Sequence, residues 1–347
     1  MESLAIGILF PGAASSAYQE DIDKLRALDK RIRVVIEPYE ESHYLHTARN
    51  DPKSDFRKLR GEAPVLSEAQ RAMFREVDAV LTLALPFDVR EVAPRLKWVQ
   101  CIGAGTAQLQ TAGLAAAGIR LTSAAGMNAV AIGEFVVGRI LGHWKRFREL
   151  EARFEKQHWD PLYGRQLAGA TAGLIGLGGI NSVVANLLKA FGVRVLASRR
   201  SSKPHPGVDE LFPPQRLNDM LAQCDIVAAA VPSTPETAGV MNRERFAAMR
   251  RGAFFCNVGR GTLVDEAALI EALRSGQLGA AALDVASVEP LPPQDPLWQA
   301  PNLYLSYHCS TDPHALFVNL HRLFRDNVRR FLDGQPLVNE VDLASGY

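Results

Sequence analysis

The sequence is poor in cysteine: four thiols in 347 residues, Cys101, Cys224, Cys256 and Cys309, with no C-x-x-C pair among them. That scarcity argues against a disulfide framework or a zinc site and makes a reducing cytoplasm the expected location. Cys224 and Cys256 lie in apolar stretches and read as small core residues. Neither sign of charge is in excess, with 39 Lys and Arg against 38 Asp and Glu and a formal net charge of +1. Such a balance supplies no global field for binding nucleic acid or an anionic membrane. No apolar run approaches the roughly 18 residues of a membrane span. The nearest, Ala129–Leu141, is interrupted by Glu134 and Arg139. Glu2 stands where a signal peptide carries a basic region, and Leu4–Phe10 is too short for its apolar core, so no such leader is expected. His43 and His46 have no evident third ligand, and no metal is expected.

What is present is an ordinary globular composition, 47% hydrophobic and 22% charged. The length suggests about two domains of roughly 100–200 residues each. Short apolar runs alternate with helical patterns through the first third. Leu4–Phe10, Arg33–Ile36, Ala79–Leu83, Trp98–Ile102 and Ile119–Thr122 read as strands, and Ala17–Leu28 as a helix. Residues 39–66 are polar and show no period. A second alternation begins after Gln166. Its strands are Thr171–Ile175, Val193–Ala197, Ile226–Ala230, Ala253–Asn257, Ala280–Asp284 and Leu303–Ser306, separated by helices such as Ile180–Phe191 and Glu266–Ser275. Asp265 is the expected N-cap of the latter and Gly276 its C-terminal stop. A tail helix follows Pro313. This alternation predicts α/β architecture with parallel sheets covered on both faces. Ala129–Leu150 reads as one long helical pattern, charged after Trp144.

The strongest local signal is Gly173-Leu174-Ile175-Gly176-Leu177-Gly178-Gly179-Ile180-Asn181. A strand enters Gly176-x-Gly178 and a helix leaves it, the context of a dinucleotide-binding loop. Gly176 permits the tight turn, and Gly178 lets a pyrophosphate approach the helix N-terminus. Asn181 replaces the usual third glycine. It predicts either a helix set further from the sheet or an amide bonded to the loop or to a phosphate. About 20 residues on, a fold built for NAD carries Asp or Glu for the ribose 2′-hydroxyl. Here Ser198-Arg199-Arg200-Ser201-Ser202 occupies the strand end. Arg199 cannot accept those hydroxyl bonds but can pair with a 2′-phosphate. NADP(H) is therefore the expected cofactor, with NAD(H) allowed.

Three further segments each follow an apolar strand: Asn257-Val258-Gly259-Arg260-Gly261, Asp284…Glu289-Pro290, and Ser306-Tyr307-His308-Cys309-Ser310. One Arg, one Glu and one His at strand C-termini make a candidate active site, because open parallel sheets bind ligands at that edge. With the phosphate loop and Pro232-x-x-Pro235-Glu236-Thr237, these segments resemble the D-isomer-specific 2-hydroxyacid dehydrogenases from about Leu96 to Gln335. The arginine turn is similar to that of the NADPH-dependent glyoxylate/hydroxypyruvate reductase branch.

The resemblance implies two doubly wound parallel-sheet domains. A Rossmann domain, residues 104–310, would be inserted into a flavodoxin-like substrate domain, residues 1–103 and 311–347. It implies that Arg260 binds and polarises a 2-ketoacid, His308 donates the proton, and Glu289 orients His308. Gly176, Gly178, Gly179, Ile180, Asn181, Ser198, Arg199, Arg200, Ser201, Pro232, Thr237, Val258, Gly259, Arg260, His308 and Ser310 would surround the cofactor. Asp284 would hold the nicotinamide carboxamide. Gly103, Ala104, Gly105 and Thr106 would grip the substrate carboxylate, together with Arg260 and His308. Ala129–Tyr163 resembles the family's dimer-forming region. Tyr307, where the family often has proline, and Thr106-Ala107 depart from its pattern and leave the substrate side chain open. Two other functions fit the same fold: a dinucleotide-binding redox sensor, and a dehydrogenase of another small anion. Glu289 argues against formate.

Overall fold

A computed structural model describes residues 3–12, 15, 18–50 and 54–343. The chain divides into two compact units. Residues 1–127 and 314–347 form the first, and residues 128–313 the second. The first unit is discontinuous, and the chain leaves it near residue 127. The reason is a strand. Residues 120–122 pair with residues 98–100, so the chain completes the first sheet before it leaves.

The first unit holds β1 (Leu4–Ile8), β2 (Ile32–Ile36), β3 (Ala79–Thr82), β4 (Trp98–Cys101) and β5 (Arg120–Thr122). Their order is β2-β1-β3-β4-β5, all parallel. This is the flavodoxin-like order. β1 is buried at every position, the pattern of a strand covered on both faces. The tail helix Pro313–Leu332 belongs mostly to this unit, and its Phe324 packs against Trp98 with ring centroids 5.4 Å apart. Its His321 is 5% exposed among Phe10, Tyr18 and Phe317. Burial pulls the His321 pKa down.

The stretch 39–66, without a readable period, contains two short helices, His43–Arg49 and Phe56–Gly61. Their signal lies in the caps. Ser42 accepts the Leu45 N–H, and Asp55 accepts those of Arg57 and Lys58. Buried Arg49 fastens the first helix by donating to Thr111 Oγ1 at 2.7 Å, to the Leu85 carbonyl at 2.7 Å and to Glu41.

The second unit holds β6 (Thr171–Ile175), β7 (Arg194–Ser198), β8 (Glu210–Phe212), β9 (Ile226–Ala229), β10 (Ala253–Asn257), β11 (Leu278–Leu283) and β12 (Leu303–Leu305). Their order is β12-β11-β10-β9-β6-β7-β8, again all parallel. β8 was not evident in the sequence, because three residues with one buried side chain leave almost no pattern. The strand order reverses at β6, between β7 and β9. The chain after β6 therefore emerges at the switch point where a doubly wound sheet binds its ligand.

Ala129–Leu150 is not one helix. Ala129–Trp144 ends, Arg146 takes a left-handed conformation at φ 61°, and Phe147–Glu155 begins. No glycine or proline marks the break, so helix propensity alone could not reveal it.

Candidate active site

The phosphate loop is built from one required glycine and one open glycine. Gly176 sits at φ +82°, and a Cβ there would lie 2.3 Å from Val231 Cγ1 and 3.1 Å from the Ala230 carbonyl oxygen. Only glycine fits. A Cβ on Gly178 would meet nothing within 4 Å. Gly178 caps the helix Gly179–Ala190 with extended backbone and no side-chain acceptor. The first-turn N–H groups therefore lack intrahelical partners, which suits an anion.

Asn181 resolves its own two expectations in favour of the loop. It is fully buried, and its Nδ2 donates to the carbonyls of Ile175 at 3.1 Å and Gly176 at 2.8 Å. The side chain that replaces glycine thus ties the helix to the end of β6. Its Nδ2 is engaged with the loop's own backbone, while its Oδ1 is buried without a protein partner.

At the end of β7, the Ser198 carbonyl accepts the Gly176 N–H at 2.8 Å, joining the two halves of the cofactor loop region. Arg199 Nε donates to the Ser201 carbonyl at 2.9 Å, and its Nη2 is shielded from solvent without a protein partner. That orphaned donor is what a phosphate oxygen would satisfy. Arg200 is exposed. Across β9, Thr237 Oγ1 donates to the Pro232 carbonyl at 2.6 Å and accepts the Thr234 N–H at 2.8 Å, closing that loop into a turn. The open space at Gly178, the free helix N-terminus and the Arg199 donor together fit a phosphorylated dinucleotide.

The second half of the site stands on β10, β11 and β12. Beyond β10, the buried side chain of Asn257 accepts the Gly259 N–H at 3.0 Å and donates to the Arg260 carbonyl at 2.9 Å. Sequence reasoning missed this role. Its only signal was an asparagine at the end of an otherwise apolar strand. Val258 is buried and its N–H continues the pairing to the Ala229 carbonyl at 3.1 Å. A Cβ on Gly259 would lie 2.9 Å from the Val231 carbonyl oxygen. A Cβ on Gly261 would lie 1.9 Å from the Ala286 carbonyl carbon. The Arg260 turn is therefore pressed backbone to backbone against the segment that carries Glu289. Arg260 reaches solvent, while Nη1 donates to the Gly259 carbonyl at 2.7 Å. Partial desolvation lowers its pKa, and the Glu289 charge opposes that.

Beyond β12, Tyr307 and His308 both adopt left-handed backbone, at φ 53° and 57°. His308 Nδ1 lies 2.7 Å from Glu289 Oε2. Glu289 Oε1 accepts the Ala286 N–H at 2.9 Å. The hydrogen bond to Glu289 raises the His308 pKa against the opposing effect of burial. Burial pushes the Glu289 carboxyl up, but His308, the Ala286 N–H and Arg260 outweigh it, and its pKa falls. Both shifts favour an imidazolium–carboxylate pair.

Asp284 is 4% exposed, and its carboxylate faces the chain's own 306–310 segment. Ser310, expected near the cofactor, is buried against it. Exposed Tyr307 packs on Trp298 with centroids 6.0 Å apart.

Gly103-Ala104-Gly105-Thr106 belongs to the first unit and follows β4. Cys101 Sγ accepts the Gly103 N–H at 3.3 Å, and Thr106 is buried at the start of the short helix Ala107–Gln110. Among the described residues, no group of three or more His, Cys, Asp or Glu side chains could hold a metal ion, and no helix is long and apolar enough to cross a membrane.

A parallel dinucleotide-binding sheet with an Arg and a Glu–His pair at its strand ends defines a nicotinamide-dependent oxidoreductase. Residues 137–310 match the family model "D-isomer specific 2-hydroxyacid dehydrogenase, NAD binding domain". A D-isomer-specific 2-hydroxyacid dehydrogenase from Xanthobacter autotrophicus Py2, solved with NADPH and MES, is 30% identical at a TM-score of 0.78. The match covers 99% of this chain and 100% of that one. An NADPH-dependent glyoxylate/hydroxypyruvate reductase from Sinorhizobium meliloti, solved with NADP and sulfate, is 27% identical at a TM-score of 0.74, over 99% and 100% of the two chains. A probable 2-hydroxyacid dehydrogenase from Rhizobium etli CFN 42, solved with NADP, HEPES and L(+)-tartaric acid, is 27% identical at a TM-score of 0.73, over 100% of both. This chain belongs to the D-isomer-specific 2-hydroxyacid dehydrogenase family and is an NAD(P)-dependent oxidoreductase.

Proposed function

We propose that the protein reduces small 2-ketoacids to 2-hydroxyacids with NADPH. The observation that carries this reading is the 2.7 Å pair of His308 and Glu289 beside the Arg260 turn, all on one dinucleotide-binding unit. The cofactor, when bound, supplies the hydride that attacks C2 of the ketoacid. Arg260 binds the substrate carboxylate and polarises the adjacent carbonyl, a task suited to a guanidinium fork. His308 as imidazolium donates its Nε2 proton to the ketone oxygen, so the product is a hydroxyl and a neutral imidazole. Glu289 holds Nδ1–H, which fixes the tautomer and favours the charged donor.

Preference for NADPH rests on Arg199, with Ser198, Arg200 and Ser201 beside it, and the relatives solved with NADPH or NADP support it. Gly176, Gly178, Gly179 and Ile180 would surround the pyrophosphate. Pro232, Thr237, Val258 and Gly259 would line the rest of the dinucleotide path. We place the working enzyme in the cytoplasm as a homodimer. Phe147, Leu150, Phe154, Trp159 and Tyr163 are exposed on the helix and segment that would form the contact. Nucleic acid and membrane are not among its partners in this reading.

The test is a panel of 2-ketoacids with NADPH and NADH compared side by side, read by cofactor absorbance. NADPH oxidation by at least one 2-ketoacid is expected. Tight NADPH binding with no turnover across the panel would instead mark a dinucleotide-binding regulator.

A further inference from the structure

The reacting carbon of a 2-ketoacid carries a ketone oxygen, a carboxylate and a side chain. In the reading above, His308 serves the oxygen and Arg260 the carboxylate. The side chain starts one bond from the same carbon, so residues flanking the imidazole are placed to meet it. Those residues are apolar and exposed. Tyr307, just before His308, is 73% exposed, and Val288, just before Glu289, is 57% exposed. Trp298 is 45% exposed and packs on Tyr307 with ring planes 38° apart. Outside residues 147–163, the exposed aromatic side chains of the second unit, among the described residues, are Phe191, Trp298 and Tyr307. Two of these three therefore pack on each other at the proton donor's own turn. Their base is fixed. Asp295 Oδ1 accepts the Leu297 N–H at 2.9 Å, Leu297 is buried in the core, and Trp298 Nε1 donates to the Pro292 carbonyl at 2.8 Å. The single indole donor is thus used by the loop that follows Glu289, and the ring is left with apolar faces. Tyr307 stands at φ 53°, a backbone that a β-carbon makes costly and a proline cannot adopt. An exposed ring offsets little of that cost by burial. Strain kept at an exposed side chain beside the reacting groups points to a use for that side chain.

We propose that Tyr307, braced by Trp298 and joined by Val288, is the specificity-determining residue for the 2-ketoacid side chain, and that the side chain it takes is aromatic or branched apolar. This rests on the reading of His308 as the proton donor to a 2-ketoacid. Apart from the Tyr307 hydroxyl, the three side chains have no polar group left for a substituent. A hydrogen, methyl or hydroxymethyl group would leave both rings in water. A phenyl or isobutyl group would cover them, and both the apolar area removed from water and the ring–ring contact favour the larger group.

The probes are phenylpyruvate, 4-methyl-2-oxopentanoate and pyruvate, with NADPH and the full chain. Wild type should favour the first two over pyruvate by about tenfold or more in kcat/KM, within the range that an apolar contact can discriminate. Tyr307→Ala should lower the phenylpyruvate-to-pyruvate ratio by about tenfold, chiefly through the KM for phenylpyruvate. Tyr307→Phe, which keeps the ring, should hold the ratio within about threefold of wild type. If Tyr307→Ala does not fold, Tyr307→Asn takes its place, because asparagine tolerates left-handed backbone. A second arm needs no turnover. Calorimetric titration of phenylpyruvate and of pyruvate into protein loaded with NADP+, which has no hydride to give, should show the same preference and its loss in Tyr307→Ala. That binding pattern in a wild type that reduces no 2-ketoacid would sustain this inference and sink the reductase reading alone. A wild type that prefers pyruvate in both arms would overturn the proposal, as would an unchanged ratio in Tyr307→Ala. An unchanged ratio with loss of the dimer in sedimentation would reassign the face to a subunit contact. A Tyr307→Phe enzyme as impaired as Tyr307→Ala would move the role to the hydroxyl and overturn the apolar platform.

Discussion

Glu289 holds His308 with one carboxylate oxygen and its own loop with the other. Oε2 lies 2.7 Å from His308 Nδ1, and Oε1 accepts the Ala286 N–H at 2.9 Å. The second contact immobilises the carboxylate, so the imidazole is oriented against a fixed point. The same loop is pressed on Gly261, beside Arg260. The Arg, Glu and His segments are thus a single mechanical assembly, and each of its parts has its own observable.

His308→Gln keeps much of the bulk but removes the titrating proton. Turnover of the best 2-ketoacid should fall by about 10²–10⁴, with NADPH binding nearly intact. Arg260→Lys keeps charge and loses the fork, so the KM for the ketoacid should rise as kcat falls. Steady-state kinetics and NADPH fluorescence titration separate the two. An unimpaired His308→Gln enzyme, measured where chemistry limits the rate, would exclude His308 as the donor.

Glu289 raises the His308 pKa above its ordinary 6.5. If His308 is the proton donor proposed above, ketoacid reduction needs the imidazolium, and its rate should fall as pH rises through that pKa. Glu289→Gln removes the anionic partner, and the alkaline limb of the reduction profile should move to lower pH. Oxidation of the hydroxyacid needs neutral imidazole, so its acid limb should move to lower pH too. The same linkage acts on stability. With the folded His308 pKa raised, its contribution is fully present below the unfolded histidine value and lost as pH rises through the folded one, and on the acid side the pair is lost as pH falls through the lowered Glu289 pKa. A profile for Glu289→Gln that overlays wild type would remove this coupling.

Arg199→Asp should weaken NADPH and improve NADH. A charge-assisted contact of about 1.5–3 kcal/mol corresponds to roughly one to two decades in affinity. The ratio of kcat/KM for the two cofactors is the measurement. Equal or tighter NADH binding by wild type would dismiss Arg199 as the discriminating residue.

Gly261→Ala would set a Cβ 1.9 Å from the Ala286 carbonyl carbon, 2.0 Å from its oxygen and 2.3 Å from Ser287 N. All three are backbone atoms with no rotamer to relieve the clash. The loops bearing Arg260 and Glu289 must separate, so stability should fall by about 3 kcal/mol or more, together with activity. Urea denaturation reads the first and initial rates the second.

Phe154 and Trp159 are 84% and 101% exposed. If Ala129–Tyr163 forms the homodimer contact, burying on the order of 2,000 Å² in total, sedimentation at micromolar concentration should give a dimer. Phe154→Glu with Trp159→Glu should then give a monomer. A wild-type monomer under those conditions would contradict the assignment.

Sequence periodicity alone carried much of this protein. Parallel strands buried on both faces leave continuous apolar runs, so eleven of the twelve strands among the described residues could be located to within a residue or two at most ends. Charge-bearing residues directly after such runs, Arg199, Arg260 and His308, announce themselves because a strand end in this fold is where chemistry is placed. One local cap was legible: Asp265 accepts the Ala268 N–H as its position foretold. Tertiary structure decided the rest. Arg146 breaks a helix with no sequence mark, because its left-handed backbone is imposed by the fold around it. Asn181, expected at a loop or a phosphate, and Asp284, which the family resemblance places at the cofactor, are polar residues whose contacts the sequence left open. Whether a side chain meets a ligand or its own backbone depends on which carbonyls and N–H groups lie within 3 Å, and those belong to strands distant in sequence. Asn181 is turned toward Ile175 and Gly176, and Asp284 toward residues 306–310, by the packing of β6, β11 and β12, which no one-dimensional pattern encodes.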